Sequence, residues 1–397
     1  MTELRCSPVF RHRRLALVGI LLLCAACPKP RPRVAEDQFA RAGEHKLASI
    51  APNCQLVTDF VFSPNGERVV YAGLLANNPG RAGVWVGDSF LLAVDTVLEL
   101  GFSNTSEPYF VGLDSGKAFI YYRYARPRAY ELISDVQFSN DGDRLAYLTR
   151  NGGRQSLVLD NSSSRTILNV LDYAQNPANG ACAYATTDST DWFVIANHDT
   201  SDIYDWVQSM TLSANGASLA YAVLADDDWF VVRNGEELPG FGEQTVEITD
   251  VTLSADGNHL GYVVTEMDTE EDASFSYVVQ DEDESAGDVY LDISDLCFSP
   301  DGRTLAYVAD DGDGQFVAGF GSDGPSYDAV WGITFSPGGD AVAYVAHQDD
   351  QEMVVVDDRE LAGYDQIDKV SFSRDGRRVG YGAVRNQDFF WVVDAAR

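Results

Sequence analysis

Apolar residues in this chain fall in short runs of strand length separated by turn residues, and one such unit returns along most of the sequence. In "FSPDGRTLAYVA" (298–309), Ser, Pro, Asp and Gly stand at the four positions where a type I turn prefers them. The turn joins an incoming strand that ends at Phe-Ser to the outgoing strand "LAYVA", which is apolar almost throughout. A strand of that kind is expected to be covered on both faces. The pattern therefore predicts packed β-sheets.

Seven copies of this unit are clear, and each has a serine at the start of its turn. The serines are Ser63, Ser139, Ser213, Ser254, Ser299, Ser336 and Ser373. They are separated by 76, 74, 41, 45, 37 and 37 residues, so each of the first two gaps has room for one more copy. A degraded copy is visible in both gaps, in "GFSNTSEPYFVG" (101–112) and in "YAQNPANGACAY" (173–184). The repeat therefore comprises nine modules, two of which depart from the motif.

Two tyrosines mark the register of the modules. The first lies five residues after the turn glycine in all seven clear copies, as Tyr71, Tyr147, Tyr221, Tyr262, Tyr307, Tyr344 and Tyr381. The second lies nine residues before the serine in five modules, usually followed by Asp or Glu, as Tyr130, Tyr204, Tyr290, Tyr327 and Tyr364. A third strand such as "DWFVVRNG" (228–235) follows the first tyrosine, and we expect a short fourth strand to carry the second.

Four strands in about forty residues form the blade of a β-propeller. We therefore predict an all-β fold, a propeller of eight or nine four-stranded blades over residues 45–397. The last module stops after its third strand, at "DFFWVVDAAR" (388–397), and residues 44–59 could supply the missing fourth strand. We expect the N- and C-terminal strands to close the ring in one shared blade, because closure removes two open sheet edges.

The repeated phrase also resembles a known motif. "FSPDGRTLAYVA" and its sister copies look like the WD-repeat-like motif of bacterial propellers such as the TolB C-terminal domain, over about residues 45–397. No Trp-Asp dipeptide closes the modules, so the resemblance is not to the eukaryotic WD subfamily. The resemblance implies a propeller but no single function, since such propellers include scaffolds, binding modules and domains attached to hydrolases.

The N-terminal residues have the layout of an export signal. Arg11, Arg13 and Arg14 precede the apolar run "LALVGILLLCAAC" (15–27), which is short for a membrane span. The end of this run resembles the lipobox of bacterial lipoproteins, whose cysteine, here Cys27, is lipidated and becomes the mature N-terminus. An uncleaved N-terminal anchor helix is the alternative.

These features divide the chain into a lipoprotein signal peptide (1–26), a Pro- and Arg-containing tether (27–44) and the propeller (45–397). Either kind of N-terminal anchor fastens the protein to a membrane and leaves its bulk outside the cytoplasm. We therefore expect a protein of the cell envelope. By resemblance to lipoprotein sorting, the outer membrane is favoured, because Pro28 lacks the aspartate that retains enterobacterial lipoproteins at the inner membrane.

The charge of the chain restricts its partners. The formal net charge is −33 and the pI is near 4.2. A protein that binds nucleic acid needs a positively charged surface, and so does a protein that docks on anionic lipid. We therefore expect no nucleic acid as a partner, and membrane contact through the lipid anchor alone.

Sequence motifs for catalysis are absent. The chain has no GxSxG, HExxH or phosphate-binding GxxxxGK[ST] motif, and no catalytic residue is predicted. Within "QDEDESAGDVYLD" (280–292), acidic and hydroxyl residues are spaced as in a calcium loop, but Ala286 stands where such loops need Gly. Calcium is thus a candidate ligand, and solvated acidic loops are the alternative reading. The candidate ligands are Asp281, Asp283, Ser285 and Asp292.

Aromatic residues offer a second kind of site. Trp192, Trp229 and Trp391 occupy matching third-strand positions and are expected in the core. Trp206 and Trp331 lie near the strands that should line the central channel, which makes these two the candidate ligand-binding residues.

We therefore expect a non-catalytic propeller, monomeric and without a required cofactor, that acts as a binding or scaffold module at the cell envelope. Its partner would be a protein, a peptide or a glycan. The alternative is an enzyme of the lyase or glycosidase type with its site in the central funnel. Convergence of His, Glu and Arg at one channel mouth would favour the enzyme.

Overall fold

The nine modules form nine blades around one axis. The computed structural model describes residues 39, 42–123, 129–139, 141–160, 165–176, 178, 182–187, 191–196, 199–241, 244–268, 273–281, 283–284 and 288–396. In these residues 34 strands form nine antiparallel sheets of three or four strands. The first strands of most neighbouring sheets contact each other, so these strands are the inner strands around the central axis. The fold is a nine-bladed β-propeller, so the all-β prediction is confirmed and both degraded copies build blades.

The first strand of the chain, β1 (Gly43–Ser49), stands apart from the first blade. The strands of blades 1 to 3 are β2 (Cys54–Phe62), β3 (Val69–Leu75), β4 (Asn78–Val86), β5 (Ser89–Val94), β6 (Thr96–Phe102), β7 (Pro108–Asp114), β8 (Lys117–Tyr122), β9 (Leu132–Phe138), β10 (Leu145–Asn151), β11 (Arg154–Asp160) and β12 (Arg165–Leu168).

The next three blades have four strands each. These strands are β13 (Val170–Gln175), β14 (Cys182–Thr187), β15 (Trp192–Ala196), β16 (Asp199–Thr200), β17 (Trp206–Leu212), β18 (Leu219–Ala225), β19 (Asp228–Arg233), β20 (Glu236–Glu237), β21 (Thr245–Leu253), β22 (Leu260–Asp268), β23 (Ala273–Gln280) and β24 (Asp283–Glu284).

Blades 7 to 9 complete the ring. Their strands are β25 (Asp292–Phe298), β26 (Leu305–Asp310), β27 (Gln315–Ala318), β28 (Ala329–Phe335), β29 (Val342–Gln348), β30 (Gln351–Val356), β31 (Arg359–Glu360), β32 (Gln366–Phe372), β33 (Arg378–Arg385) and β34 (Asp388–Ala395).

The ring is closed by β1, which is the outer strand of blade 9 and pairs antiparallel with β34. The predicted sharing of one blade by the two termini is therefore confirmed. Within a blade the first and third strands run in one direction and the second and fourth in the other. We call the face of the disc at which the inner strands begin the upper face, and the face with the turn serines the lower face.

The turn at the lower face is held by its serine. In blade 7 the Ser299 hydroxyl donates to Asp301 (2.7 Å) and accepts from the Thr304 amide (3.0 Å). Gly302 donates its amide to the Ser299 carbonyl (2.9 Å) at φ +76°, a conformation that favours glycine. Because Ser299 is buried, its hydroxyl satisfies a backbone amide that water does not reach. Its hydrogen bond also holds the pKa of Asp301 below its usual value.

The two repeated tyrosines meet in the core. Tyr327 forms a backbone bridge to the third strand of blade 7, and its ring packs edge-to-face on Tyr344 in the second strand of blade 8. Five such pairs recur with ring centroids 6.0–6.4 Å apart, and in a sixth pair Phe241 takes the place of the second, bridging tyrosine and packs on Tyr262. This geometry is the one that aromatic quadrupoles favour. Each pair therefore joins one blade to the next.

The short fourth strand was expected to carry the second tyrosine, but the tyrosine lies outside it. In blade 8 the strand proper is β31, and Tyr364 lies beyond it in an isolated bridge to Glu352 of β30. In blades 2 and 7 the regular ladder has three strands, and the bridge of Tyr130 or Tyr327 takes the outer position. The tyrosine side chain must point inward to reach the next blade. The regular pairing of the fourth strand is therefore interrupted at the tyrosine.

Replacement of Ser299 by alanine tests the role of the turn. We expect Ser299→Ala to lower the free energy of unfolding by about 1–3 kcal/mol, because the Thr304 amide loses its acceptor. Ser274→Ala, at an exposed position of β23, is the matched control and should change stability by less than about 0.5 kcal/mol. Chemical denaturation measures both, and equal values for the two variants would refute the structural role of the turn serine.

Candidate functional site: the channel and the upper face

The inner strands carry a ring of acidic side chains. The relevant position lies four residues before the turn serine, or before Asn176 in blade 4. It is acidic in six blades and Ser209, Gly332 or Lys369 in the others. The six acidic residues are Asp59, Glu99, Asp135, Asp172, Asp250 and Asp295. Motif reading missed this ring, although it has a fixed offset from the turn.

A β-bulge places these residues. The pairing of every inner strand with its second strand shifts register at or next to this position. Asp135, Asp250 and Asp295 have φ of 59°, 50° and 57°, which small polar residues tolerate better than branched ones. Bulges re-aim side chains at the rims of closed sheets.

Several of the carboxylates bond to the neighbouring blade. Asp172 accepts from the Met210 amide (3.0 Å), and Asp295 accepts from the Ile333 amide (2.9 Å). Across the closure, Asp368 accepts from the Phe62 amide (2.9 Å). These carboxylates therefore satisfy inner-strand amides that have no strand partner, and they link adjacent blades.

The environment of the ring favours protonated carboxyls. Burial raises the pKa of Asp59 and of Glu99 to about 7, and the pKa of Asp172 to about 6. Nearby carboxylates, among them Asp135, raise these pKa values further. Burial lowers the pKa of Lys369, the one cationic residue on the nine inner strands. The channel thus holds carboxyls that exchange protons near neutral pH.

The histidines that the structure describes lie away from these strands. His45 is on β1, His259 follows a lower-face turn and His347 is on β29. The convergence of His, Glu and Arg that would favour an enzyme is not found on the described inner strands, which contain neither His nor Arg.

The predicted calcium ligands lie at different places in blades 6 and 7. Asp281 ends the third strand of blade 6, where His259 Nδ1 lies 2.6 Å from its carboxylate and the Leu260 amide donates to it (2.9 Å). Asp292 is exposed at the start of β25, while Ser285 and the side chain of Asp283 lie outside the described residues. Among the described residues no group of three His, Cys, Asp or Glu side chains could hold a metal ion. The calcium site stays a prediction.

The predicted lipidation site also stays a prediction, because Cys27 lies outside the described residues. In the part of the chain that the structure does describe, no helix is long and apolar enough to cross a membrane.

The two candidate tryptophans lie on inner strands, as expected, but differ in exposure. Trp331 is half-buried on β28 and packs against the core between blades 8 and 9. Trp206 begins β17 at the upper face, has 38% of its surface exposed and packs edge-to-face on Trp192 of blade 4 (6.2 Å). Trp206 is the more exposed of the two. Of the three tryptophans expected in the core, Trp229 and Trp391 are buried, and Trp192 is half-buried against the core between blades 4 and 5.

Exposed apolar side chains gather at the upper face. Nine large hydrophobic residues are exposed in the described chain, and eight of them lie within ten residues before a turn serine or Asn176. The ninth, Phe90, is in the lower-face hairpin between β4 and β5. The eight are Leu56, Leu132, Leu168, Ile203, Trp206, Val246, Val289 and Leu291. Their common offset from the turn is visible in the sequence, but nothing there shows that the segments share one face.

Five of these residues lie at the upper face from the junction of blades 4 and 5 to blade 7, and we call them the apolar arc: Ile203, Trp206, Val246, Val289 and Leu291. Hydrogen bonds tie the arc to carboxylates. Trp206 Nε1 donates to Gln208 (3.1 Å), and Gln208 donates to Glu247 (3.2 Å) beside Val246. Trp206 of the arc is therefore linked through Gln208 to an acidic side chain on the same surface.

Comparison with known proteins finds similar structures but no family. No family model matches the chain, and no curated protein matches its sequence. Similar solved structures include one described as the eukaryotic initiation factor (12% identity, 90% of this chain and 94% of the other, TM-score 0.44) and the Dos1 propeller (11%, 90% and 96%, 0.44). Another is the propeller domain of the Trilobed protease from Pyrococcus furiosus (11%, 67% and 97%, 0.38). The chain is a β-propeller similar in structure to other propellers.

The raised pKa of Glu99 predicts a pH-dependent effect on stability. The folded state binds this proton more tightly than the unfolded chain, so the stabilisation is present below the ordinary pKa of 4.5 and is lost as pH rises through about 7. Glu99→Gln removes the charge and keeps an oxygen for the Tyr109 hydroxyl, which lies 2.7 Å from the carboxylate. We expect the variant to exceed the wild type in unfolding free energy by on the order of 2–3 kcal/mol at about pH 8, and to differ little at about pH 4.

The exposed Glu107 supplies the control, and Glu107→Gln should show no such pH dependence. Denaturant titrations across the pH range measure the effect. A Glu99→Gln difference that is the same at both pH values would contradict the buried-carboxyl account.

Proposed function

We propose that this protein is a non-catalytic binding module, anchored to the bacterial cell envelope through Cys27, that holds a protein partner on its upper face. The observation that carries the proposal is the placement of eight of the nine exposed large hydrophobic side chains of the described residues on that face. Exposed apolar side chains gathered on one face of a folded domain are typical of an interaction site. The resemblance of the repeated motif to TolB-type propellers, which include binding modules, also supports a binding function.

The path of the chain supports an anchored arrangement. β1 runs from the lower face to the upper face, because Gly43 pairs with Val393 and Ser49 pairs with Asp388 at the opposite end of β34. At the start of this path, Arg378 donates to the Phe39 carbonyl at the lower face. Phe39, the first described residue, therefore lies at the lower face. A lipid anchor at Cys27 would leave the upper face pointing away from the membrane.

The structure of the blades suits a binding platform. The residues of the arc lie at or just before the beginning of inner strands that end in buried turns. Beside the arc, Tyr204 and Tyr290 pack on Tyr221 and Tyr307. Side chains on such rigid elements lose little conformational entropy on binding, which favours affinity.

A lyase or glycosidase with its site in the central funnel is the second candidate. Glu99 and Asp59, with pKa values near 7, are the observation that favours it, since a general acid must hold its proton near the working pH. Turnover of an envelope glycan that is lost in Glu99→Gln and kept in Trp206→Ala would support this candidate over the binding module.

Anchoring and binding are tested together by a Cys27→Ala variant. We expect the wild type in envelope fractions to incorporate labelled fatty acid and to be extracted only with detergent, because Cys27 is acylated. Cys27→Ala should lose the label and move to the soluble fraction.

Crosslinking in the intact envelope followed by purification then identifies the partner. We expect the wild type to retain a protein that Trp206→Ala retains less and that Phe90→Ala retains equally. An unlabelled wild type would refute the anchor. Equal recovery of every protein with Trp206→Ala and the wild type would refute the upper face as the binding surface.

A further inference from the structure

We infer that the upper face of blades 5 to 7 binds a cationic, amphipathic polypeptide segment, one in which Lys or Arg residues alternate with large apolar residues. This inference rests on the proposed function and names the chemistry of its partner. It is carried by two independent features of one surface, the exposed apolar arc and the distribution of charge around it.

The net negative charge of the chain lies in one half of the ring. Residues 166–358, which cover blades 4 to 7 and most of blade 8, contain 39 acidic residues and two basic ones, a net charge of −37. The rest of the chain has 22 acidic and 26 basic residues, a net charge of +4. A single-sign field of this size attracts and orients partners of the opposite sign.

The two basic residues of this half both lie at the lower face. Arg303 belongs to the turn after Ser299, and Arg233 donates to the Gly257 carbonyl (2.7 Å) in the turn of blade 6. The upper face of blades 5 to 7 therefore has no Lys or Arg to neutralise its carboxylates. A cationic partner would meet uncompensated negative charge there and partly neutralised charge on the opposite face.

On the upper face, apolar side chains lie next to acidic ones, so that one bound peptide segment could contact both. Leu291 packs against Gly312, since an added Cβ at this glycine would lie 2.9 Å from Leu291 Cδ1. Gly312 stands between the exposed Asp311 and Asp313 in the turn from β26 to β27. Leu291 is 58% exposed although it touches this acidic turn.

The same juxtaposition occurs in blade 5. Asp226, Asp227 and Asp228 are exposed in the turn that joins β18 to β19, and the Asp226 amide donates to Asp205 (3.2 Å), the residue before Trp206. Val246 and Glu247 continue the pattern in blade 6, where both are exposed. A segment that lies across the three blades would place apolar side chains on Trp206, Val246 and Leu291, and its cations beside these carboxylates.

An acidic or uncharged segment fits this surface poorly. Such a segment would bury the carboxylates beside the arc without a counter-charge, and desolvation of unpaired charge opposes binding. A membrane of anionic lipid is disfavoured for the same reason, which agrees with a lower face turned toward the anchor.

Binding of three defined peptides to the purified full-length protein tests the inference. The peptides have equal length and alternate lysine with leucine, lysine with serine, or glutamate with leucine. We expect the lysine–leucine peptide to bind, the lysine–serine peptide to bind at least about tenfold more weakly because the arc gains no apolar contact, and the glutamate–leucine peptide not to bind. Calorimetric titration gives the affinities.

Matched variants locate the site. Trp206→Ala and Leu291→Ala should each weaken binding of the lysine–leucine peptide about tenfold, while Phe90→Ala on the lower face should not change it. Removal of two upper-face charges, in Asp227→Asn with Asp313→Asn, should weaken binding about threefold at low salt and much less at high salt, because exposed charges are screened. The lower-face pair Glu67→Gln with Asp358→Asn is the control for net charge and should have a smaller effect.

The inference is wrong if the glutamate–leucine peptide binds as well as the lysine–leucine peptide, or if Phe90→Ala weakens binding as much as Trp206→Ala and Leu291→Ala do. Equal binding of the lysine–serine and lysine–leucine peptides would also overturn it, since charge alone would then suffice. If the envelope experiment recovers a Trp206-dependent partner and these peptides fail, the binding function stands and the cationic chemistry is refuted.

Discussion

The pairing of β1 with β34 is the contact on which the rest of the structure depends. Without it blade 9 has an open outer edge, and the two ends of the ring are held together by packing and by the hydrogen bond from the Phe62 amide to Asp368. Charged contacts accompany the pairing: Arg385 forms two bonds to Glu44 (2.9 and 2.5 Å), Tyr364 donates to Glu44 (2.8 Å), and Lys46 lies 2.8 Å from Asp388. These groups are partly exposed, so their individual contributions are small.

Packing around the closure contributes more than these charges. Phe62 and Tyr71 of blade 1 share one buried cluster with Phe389 and Trp391 of blade 9, and Ala48 of β1 belongs to the same cluster. The glycine at 382 lies so close to Phe62 that an added Cβ would be 2.0 Å from the ring. The absence of a side chain at Gly382 thus permits the close approach of blades 9 and 1 at the closure.

The fold could be predicted from the sequence because each module repeats the same local pattern. Serine, glycine and tyrosine at fixed offsets define a turn, a covered strand and a blade junction, and nine copies leave little freedom in architecture. Even the degraded copies keep the buried anchor, as Ser103 and Asn176 show. Sequence reasoning placed Trp206 and Trp331 on the right strands but could not tell the exposed ring from the half-buried one, since exposure depends on the neighbouring blade.

The functional surfaces were harder to predict because they exist only in the closed ring. The carboxylate ring depends on a bulge, which breaks the simple alternation by which a strand face is read. The apolar arc joins residues from three modules that are far apart in sequence, such as Ile203 and Leu291. Charge segregation was visible in the sequence, but its meaning required knowing that Arg233 and Arg303 lie on the face opposite the arc.

Native-state amide hydrogen exchange of β1 tests the central claim most directly. The account predicts that the amides of β1 that pair with β34 exchange as slowly as those of β33, and that both become exposed only in global unfolding, because closure and the ring form one cooperative unit. Rapid exchange in β1, with the inner strands of all nine blades still protected, would show that the ring stands without this pairing and would contradict the account.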